Sequence, residues 1–240
     1  MVDERYWQIW RNYATFKKQE TVMRAGFARV GVYPGTPDGR TEAQRSESVA
    51  EHVLGTLELL DEIAMFCPEV ISETEALRCI RLLLKHEVGE VEIGDIPDDG
   101  RYDGAKKDEN ELRVMMRYAE TLPAPYGIQT VHDFVDFQNK RSALAQMAYC
   151  IDKIEAVLQC LLYEQEGRNV TCVDETLVQN LSEQDRKYMR QTGSAQVVDN
   201  WSAHCLDLIR DFWYAPMFVG ILRAAVEDVR GEWFPWIEKT

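Results

Sequence analysis

Apolar side chains recur at three- and four-residue steps along most of this chain, and that spacing constrains its fold more than any other feature. Val49, Val53, Leu57 and Leu60 form one such stripe, with His52, Thr56, Leu59 and Ile63 on the adjoining ridge. A second stripe runs through Leu144, Met147, Ala148, Ile151, Ile154, Leu158 and Leu161. Side chains at these intervals share one face of an α-helix, which must find a partner to bury it. No run alternates apolar and polar residues as a half-buried strand does. The spacing therefore predicts an all-α fold.

Local signals divide the helices. Tyr6, Ile9, Trp10, Tyr13 and Phe16 predict a helix over 5–23, followed by a turn-rich loop, GVYPGTPDGRTEAQ. Ser46 or Ser48 can cap the next helix, which Pro68 closes. Ser72 or Thr74 can cap another, whose body ALRCIRLLLKHE is apolar on most sides and so reads as central. The segment EVGEVEIGDIPDDGRYDGAKKD becomes loop-like after its first residues. A helix over about 106–121 ends at the prolines 123 and 125. The pattern over 131–163 reads as one broken helix or two. Further helical stretches follow near 174–192, 196–213 and 217–229. No repeat, low-complexity tract or clear boundary interrupts the chain.

Composition narrows the function classes. The net charge is −14 and no dense basic run appears, so a nucleic-acid polymer is a poor partner. A small anion received by a few Arg or Lys residues remains compatible, and acidity suits a divalent cation. No stretch approaches the ~18 apolar residues of a membrane span. The six cysteines (67, 79, 150, 160, 172 and 205) include no C-x-x-C pair and read as reduced thiols of a cytosolic protein. The start, MVDERYWQIW, lacks the apolar core of a signal peptide.

Four residues stand out chemically. His52 lies beside an apolar stripe, His86 and Glu87 are adjacent at the end of an apolar helix, and Asp152 flanks the stripe of a third helix. Imidazole and carboxylate together commonly hold a catalytic divalent cation. Neighbouring helical residues point about 100° apart, so a His-Glu pair can occupy two corners of one ion. Taken singly, each has an ordinary reading, as a hydrogen-bonded histidine or a solvated carboxylate. Glu155 is either a solvated residue at the stripe margin or a support for a ligand.

Order and context carry more than any single residue. Met23-Arg24-Ala25-Gly26-Phe27-Ala28-Arg29, Arg45-Ser46-Glu47-Ser48-Val49-Ala50-Glu51-His52, Lys85-His86-Glu87-Val88-Gly89-Glu90 with Gly94-Asp95-Ile96, and Ile151-Asp152-Lys153-Ile154-Glu155 follow one another. In this order they resemble the motifs of the HD-domain phosphohydrolases, and within them the small branch that acts as 5′-deoxynucleotidases. The resemblance covers about 23–165. It implies an all-α HD-domain helical bundle over 1–165, with a helical C-terminal extension over 166–240 packed on the same domain. It also implies one divalent metal ion (Mn, Co, Mg, Zn or Fe) held by His52, His86, Glu87 and Asp152. Glu90 would handle protons or orient the attacking water, and Asp95 would support the water or leaving group. Arg24 would bind the substrate phosphate, with Arg29 and Arg45 as further phosphate candidates. The implied reaction releases phosphate from a small phosphate ester, a ribo- or deoxyribonucleoside 5′-monophosphate, in a cytoplasmic homodimer.

The chain departs from the family pattern in three places. Glu87 stands where the family has Asp, Phe27 where the branch often has Trp, and the loop between Gly31 and Arg45 is longer than usual. The first departure keeps a second reading open, a nucleotide-binding or sensor protein with a weakened metal centre. Other chemistries fit less well. The second His of H-E-x-x-H is missing, no E-x-x-H precedes any histidine, and there is no G-x-G-x-x-G, P-loop or G-x-S-x-G. His132 and His204 fall outside the matching segments and read as structural or exposed. The aromatic C-terminus, from Trp201 to Trp236, reads as core before interface.

Overall fold

Two helices begin where the sequence sets a serine three residues ahead of a glutamate. The computed structural model describes Val22, Arg24 and residues 47–96, 103–166, 183–194 and 196–236. In α1 (Val49–Phe66), Ser48 caps the helix: Glu51 N–H donates to Ser48 Oγ at 3.3 Å, and Ser48 N–H donates to Glu51 Oε2 at 2.6 Å. Ser72 and Glu75 repeat this reciprocal cap at α2 (Glu73–Leu83). Each box satisfies donors that a helix start otherwise leaves open and fixes which residue begins the first turn. α1 buries Val49, His52, Val53, Thr56, Leu60 and Ile63, the two ridges that the spacing predicts, while Leu57 and Leu59 are half-buried. It stops at Cys67, ahead of Pro68.

α2 differs from the expectation in two ways. It is amphipathic and not central: Ala76, Cys79, Leu82 and Leu83 are buried, but Leu77 is 59% exposed. It also ends before His86. The amides of Lys85 and His86 both donate to Leu82 O, and residues 84–89 pass through tight turns into the short α3 (Glu90–Ile93). Packing explains the break. Val88 is buried with Met115, Tyr118 and Phe134, and Gly89 lies so close to the next helix that a Cβ would sit 2.8 Å from Glu111 Cγ. Gly94, with φ +77°, then turns the chain away as only glycine does readily.

α4 (Gly104–Glu120) is capped by Asp103, whose carboxylate accepts from Ala105 N–H and Lys106 N–H. The prolines expected only to end this helix also start the next one. Pro123 precedes α5 (Ala124–Asn139) and Pro125 lies in its first turn, where a missing N–H costs nothing. Lys140, at φ 53°, breaks the 131–163 pattern in two, and α6 (Ala143–Gln165) follows. Beyond it come α7 (Glu183–Thr192), α8 (Val197–Ile209) and α9 (Ala215–Arg230). Among the described residues all regular structure is helical, in these nine helices.

The described residues fall into two compact units. The first comprises Val22, Arg24, 47–96 and 103–149, with α4 packed along α5 and α1 along α2. The second comprises 150–166, 183–194 and 196–236, with α7 against α8. The division falls inside α6, a single unbroken helix. In the second unit Phe218, Leu222 and Val226 of α9 are buried, as are Phe234 and Trp236, while Trp213 is 82% exposed. The helix expected over 5–23 and the loop before Arg45 lie outside the described residues.

Candidate metal centre

His86 is the best-oriented member of the expected set. The turn after α2 places its Nδ1 2.6 Å from Leu83 O, a contact that requires the proton on Nδ1. Nε2 is then the basic nitrogen, and it lies 3.4 Å from Glu87 Oε1. Phe137 stacks at an angle on the ring, with centroids 5.1 Å apart. Fixing a histidine through its far nitrogen in this way orients the near one for coordination. His52, wholly buried on α1, directs its Nε2 to within 3.8 Å of the same Glu87 oxygen.

Asp152, the fourth expected ligand, lies on α6 in the second unit. Two nitrogens and two carboxylate oxygens suit a borderline divalent cation. Donors about 2.0–2.1 Å from one ion at a tetrahedral angle lie roughly 3.4 Å apart; the His86–Glu87 spacing is 3.4 Å, and the His52–Glu87 spacing is wider at 3.8 Å. The residues present fit a metal. Asp152 Oδ2 also meets Lys153 Nζ at 2.9 Å. Glu155, one turn along α6, is buried, which removes the solvated alternative.

Arg24 enters beside Glu87, whose Oε1 is 3.6 Å from its Nη1. Its Nε is 3.9 Å from both Glu47 Oε1 and Asp95 Oδ2. The backbone ties this segment to the start of α1, through Arg24 N–H to Glu47 O at 3.2 Å and Val49 N–H to Val22 O at 2.9 Å. Burial works against the charge on Arg24, but Asp95, Glu87, Glu47 and Glu90 outweigh it and hold the guanidinium above its ordinary value. Glu90 is buried at the start of α3. Burial first, then the Glu87 and Asp95 carboxylates, push its carboxyl well above the usual carboxylate range, against Arg24 and Lys107. The shift favours the protonated form of Glu90.

Of the nine expected site residues, six come together in the first unit, Arg24, His52, His86, Glu87, Glu90 and Asp95, while Asp152 lies in the second. Arg29 and Arg45 lie outside the described residues. The reason expected for Glu90, a helix continuing from His86, is corrected by the break at Leu83; turns bring it in instead. Sequence reasoning missed Lys107 and Glu111 on α4. Lys107 Nζ donates to Ile96 O at 2.7 Å and lies 3.9 Å from Glu90 Oε1. Their one local signal, an i,i+4 Lys–Glu spacing, is that of an ordinary solvated helix face. His132 is exposed, and His204 stacks on Tyr188 with Gln184 against its ring, in keeping with their expected structural roles.

Known proteins supply independent context. A family profile described as "HD domain" matches residues 38–195. A 5′-deoxynucleotidase of Saccharomyces cerevisiae is 26% identical over 133 residues, 54% of this chain and 53% of that protein. The human 5′-deoxynucleotidase HDDC2 is 26% identical over 124 residues, 50% of this chain and 56% of that protein. The chain thus spans about half the length of the curated relatives it matches. A solved structure described as a predicted metal-dependent phosphohydrolase from Magnetospirillum magnetotacticum superposes with a TM-score of 0.61 at 18% identity, covering 94% of this chain and 92% of that one. The PH0347 protein of Pyrococcus horikoshii does so with a TM-score of 0.61 at 17% identity, covering 90% and 96%.

Proposed function

The chain belongs to the HD domain family of metal-dependent phosphohydrolases, and from that premise we propose that it releases phosphate from a ribo- or deoxyribonucleoside 5′-monophosphate. The observation that carries this reading is the convergence of His52 Nε2 and His86 Nε2 on one oxygen of Glu87. Distant likeness to 5′-deoxynucleotidases supports the substrate class. A cytoplasmic homodimer is part of the same reading.

His52, His86, Glu87 and Asp152 would hold one divalent ion, of Mn, Co, Mg, Zn or Fe. When bound, such an ion polarises a phosphoryl oxygen and lowers the pKa of a bound water. The chain's own groups do the rest. Arg24 offers a planar guanidinium that can take two phosphate oxygens at once. Asp95 and Glu47 hold that guanidinium in place from 3.9 Å. Glu90, kept largely from water, holds or accepts the proton that moves between nucleophile and leaving oxygen.

One observation favours a second reading, a nucleotide sensor that does not turn over. Glu87 is a methylene longer than the family's Asp, and its carboxylate meets Arg24, the group assigned to the phosphate. Phosphate release separates the two. Metal-stripped protein is restored with each ion in turn and given a panel of ribo- and deoxyribonucleoside monophosphates, with Glu90→Ala as control. Ion-dependent release that the control abolishes supports the hydrolase. Nucleotide binding with no release under any ion supports the sensor.

A further inference from the structure

Lys107 sits one turn inside α4, in a sequence, GAKKDENE, that reads as a solvated helix start. Its side chain is only 21% exposed and points inward. The ammonium donates to the carbonyl of Ile96 at 2.7 Å, one residue past Asp95. It lies 3.9 Å from Glu90 Oε1 and 3.5 Å from Glu111 Oε1, its i,i+4 neighbour. Gln138 of α5 donates to the other Glu111 oxygen at 3.3 Å. One cation therefore ties the beginning and the end of the 90–96 segment to α4, and α5 holds the carboxylate that steadies the cation.

The backbone is built for this approach. Gly89, immediately before Glu90, packs against Glu111 at a distance where a Cβ would meet Cγ at 2.8 Å and Cβ at 2.9 Å. Val88 anchors the same turn in the apolar cluster with Met115 and Tyr118 of α4. The short α3 has a single turn of its own and ends at a positive-φ glycine. So little regular structure cannot fix two acidic side chains by itself; contacts from a longer element must do so.

We propose that Lys107 is a positioning residue for Glu90 and Asp95, supported by Glu111. This rests on the phosphohydrolase reading for its effect on turnover, but not for its effect on the segment. Lys107 acts through Glu90 and through the carbonyl that follows Asp95.

The test uses the full chain loaded with its ion, comparing wild type, Lys107→Met, Lys107→Arg and Glu111→Gln. Three quantities are read: kcat and KM for phosphate release, metal content, and amide hydrogen exchange over 90–96. Lys107→Met is expected to lower kcat about 10- to 100-fold, as removal of a supporting partner does, with KM and metal content within about twofold. Its exchange over 90–96 should quicken while that of α1 stays as in wild type. Lys107→Arg should recover part of kcat and of the protection, and Glu111→Gln should fall between. Unchanged exchange over 90–96 overturns the proposal, as does a change in KM alone or a loss of kcat that only follows loss of metal. If the wild type releases no phosphate, the functional reading fails, and the exchange comparison still decides whether Lys107 holds the segment.

Discussion

Arg230, at the end of α9, should contribute more to stability than any exposed ion pair in the chain. Its Nε and Nη2 take both oxygens of Glu164 at 2.8 and 2.7 Å, and Nη1 takes Asp199 at 2.6 Å. Its side chain is 19% exposed, with Glu164 at 25% and Asp199 at 9%. Burial opposes its charge, and the bonds to Glu164 and Asp199 outweigh that and hold the guanidinium above its ordinary value. Arg230→Met keeps an apolar stem but removes the guanidinium that lies over Phe234 and leaves two carboxylates without their fork. Breaking a buried pair costs about 3–5 kcal/mol, and partial exposure of Glu164 lowers this to roughly 2–4 kcal/mol. At about 2–4 °C per kcal/mol for a chain of this size, the melting temperature should fall roughly 5–15 °C. The assay is urea and thermal unfolding by tryptophan fluorescence, with Arg230→Lys as a variant that keeps charge and loses the fork. A loss under about 0.5 kcal/mol, the scale of a surface pair, would refute the reasoning.

Two further outcomes follow from packing and burial. A Cβ on Gly127 would land on the Ala119 carbonyl where α5 meets the end of α4, so Gly127→Ala should cost at least about 2 kcal/mol by urea denaturation. Burial pushes the Cys79 and Cys150 thiols up to about 12, above their value in the unfolded chain. The folded state then keeps protons that the unfolded state loses, so this stability is complete below about pH 9 and drains away as pH rises toward 12. Each cysteine should contribute a decline of about 1.4 kcal/mol per pH unit in that window, and Cys79→Ala should flatten the slope measured by urea unfolding between pH 8.5 and 11.

The helices were legible because their signals are local. Ser48 and Ser72, each with Glu three residues on, state their own caps, and the α1 stripe names its buried face. What escaped was set by tertiary contact. The end of α2 depends on Val88 entering a cluster with residues of α4 and α5, more than 25 positions away, and nothing in LLLKHEVGE marks that. The expected ligand set rests on resemblance to a known family; composition and spacing alone left each of its residues with an ordinary alternative. Glu155 is the instructive case: its place beside the stripe was visible, but only its burial in the fold rules out solvation. Lys107 was hidden because a lysine near a helix start is nearly always a solvated one.

If His52, His86, Glu87 and Asp152 hold one divalent ion, the metal content of the purified protein must depend on each of them. Wild type and Asp152→Ala would be purified without chelator, shown to fold alike by circular dichroism, and assayed by elemental mass spectrometry. The expected result is about one ion per chain in wild type, and its loss together with phosphate release in the variant. Equal metal content in the two proteins would contradict the ligand assignment.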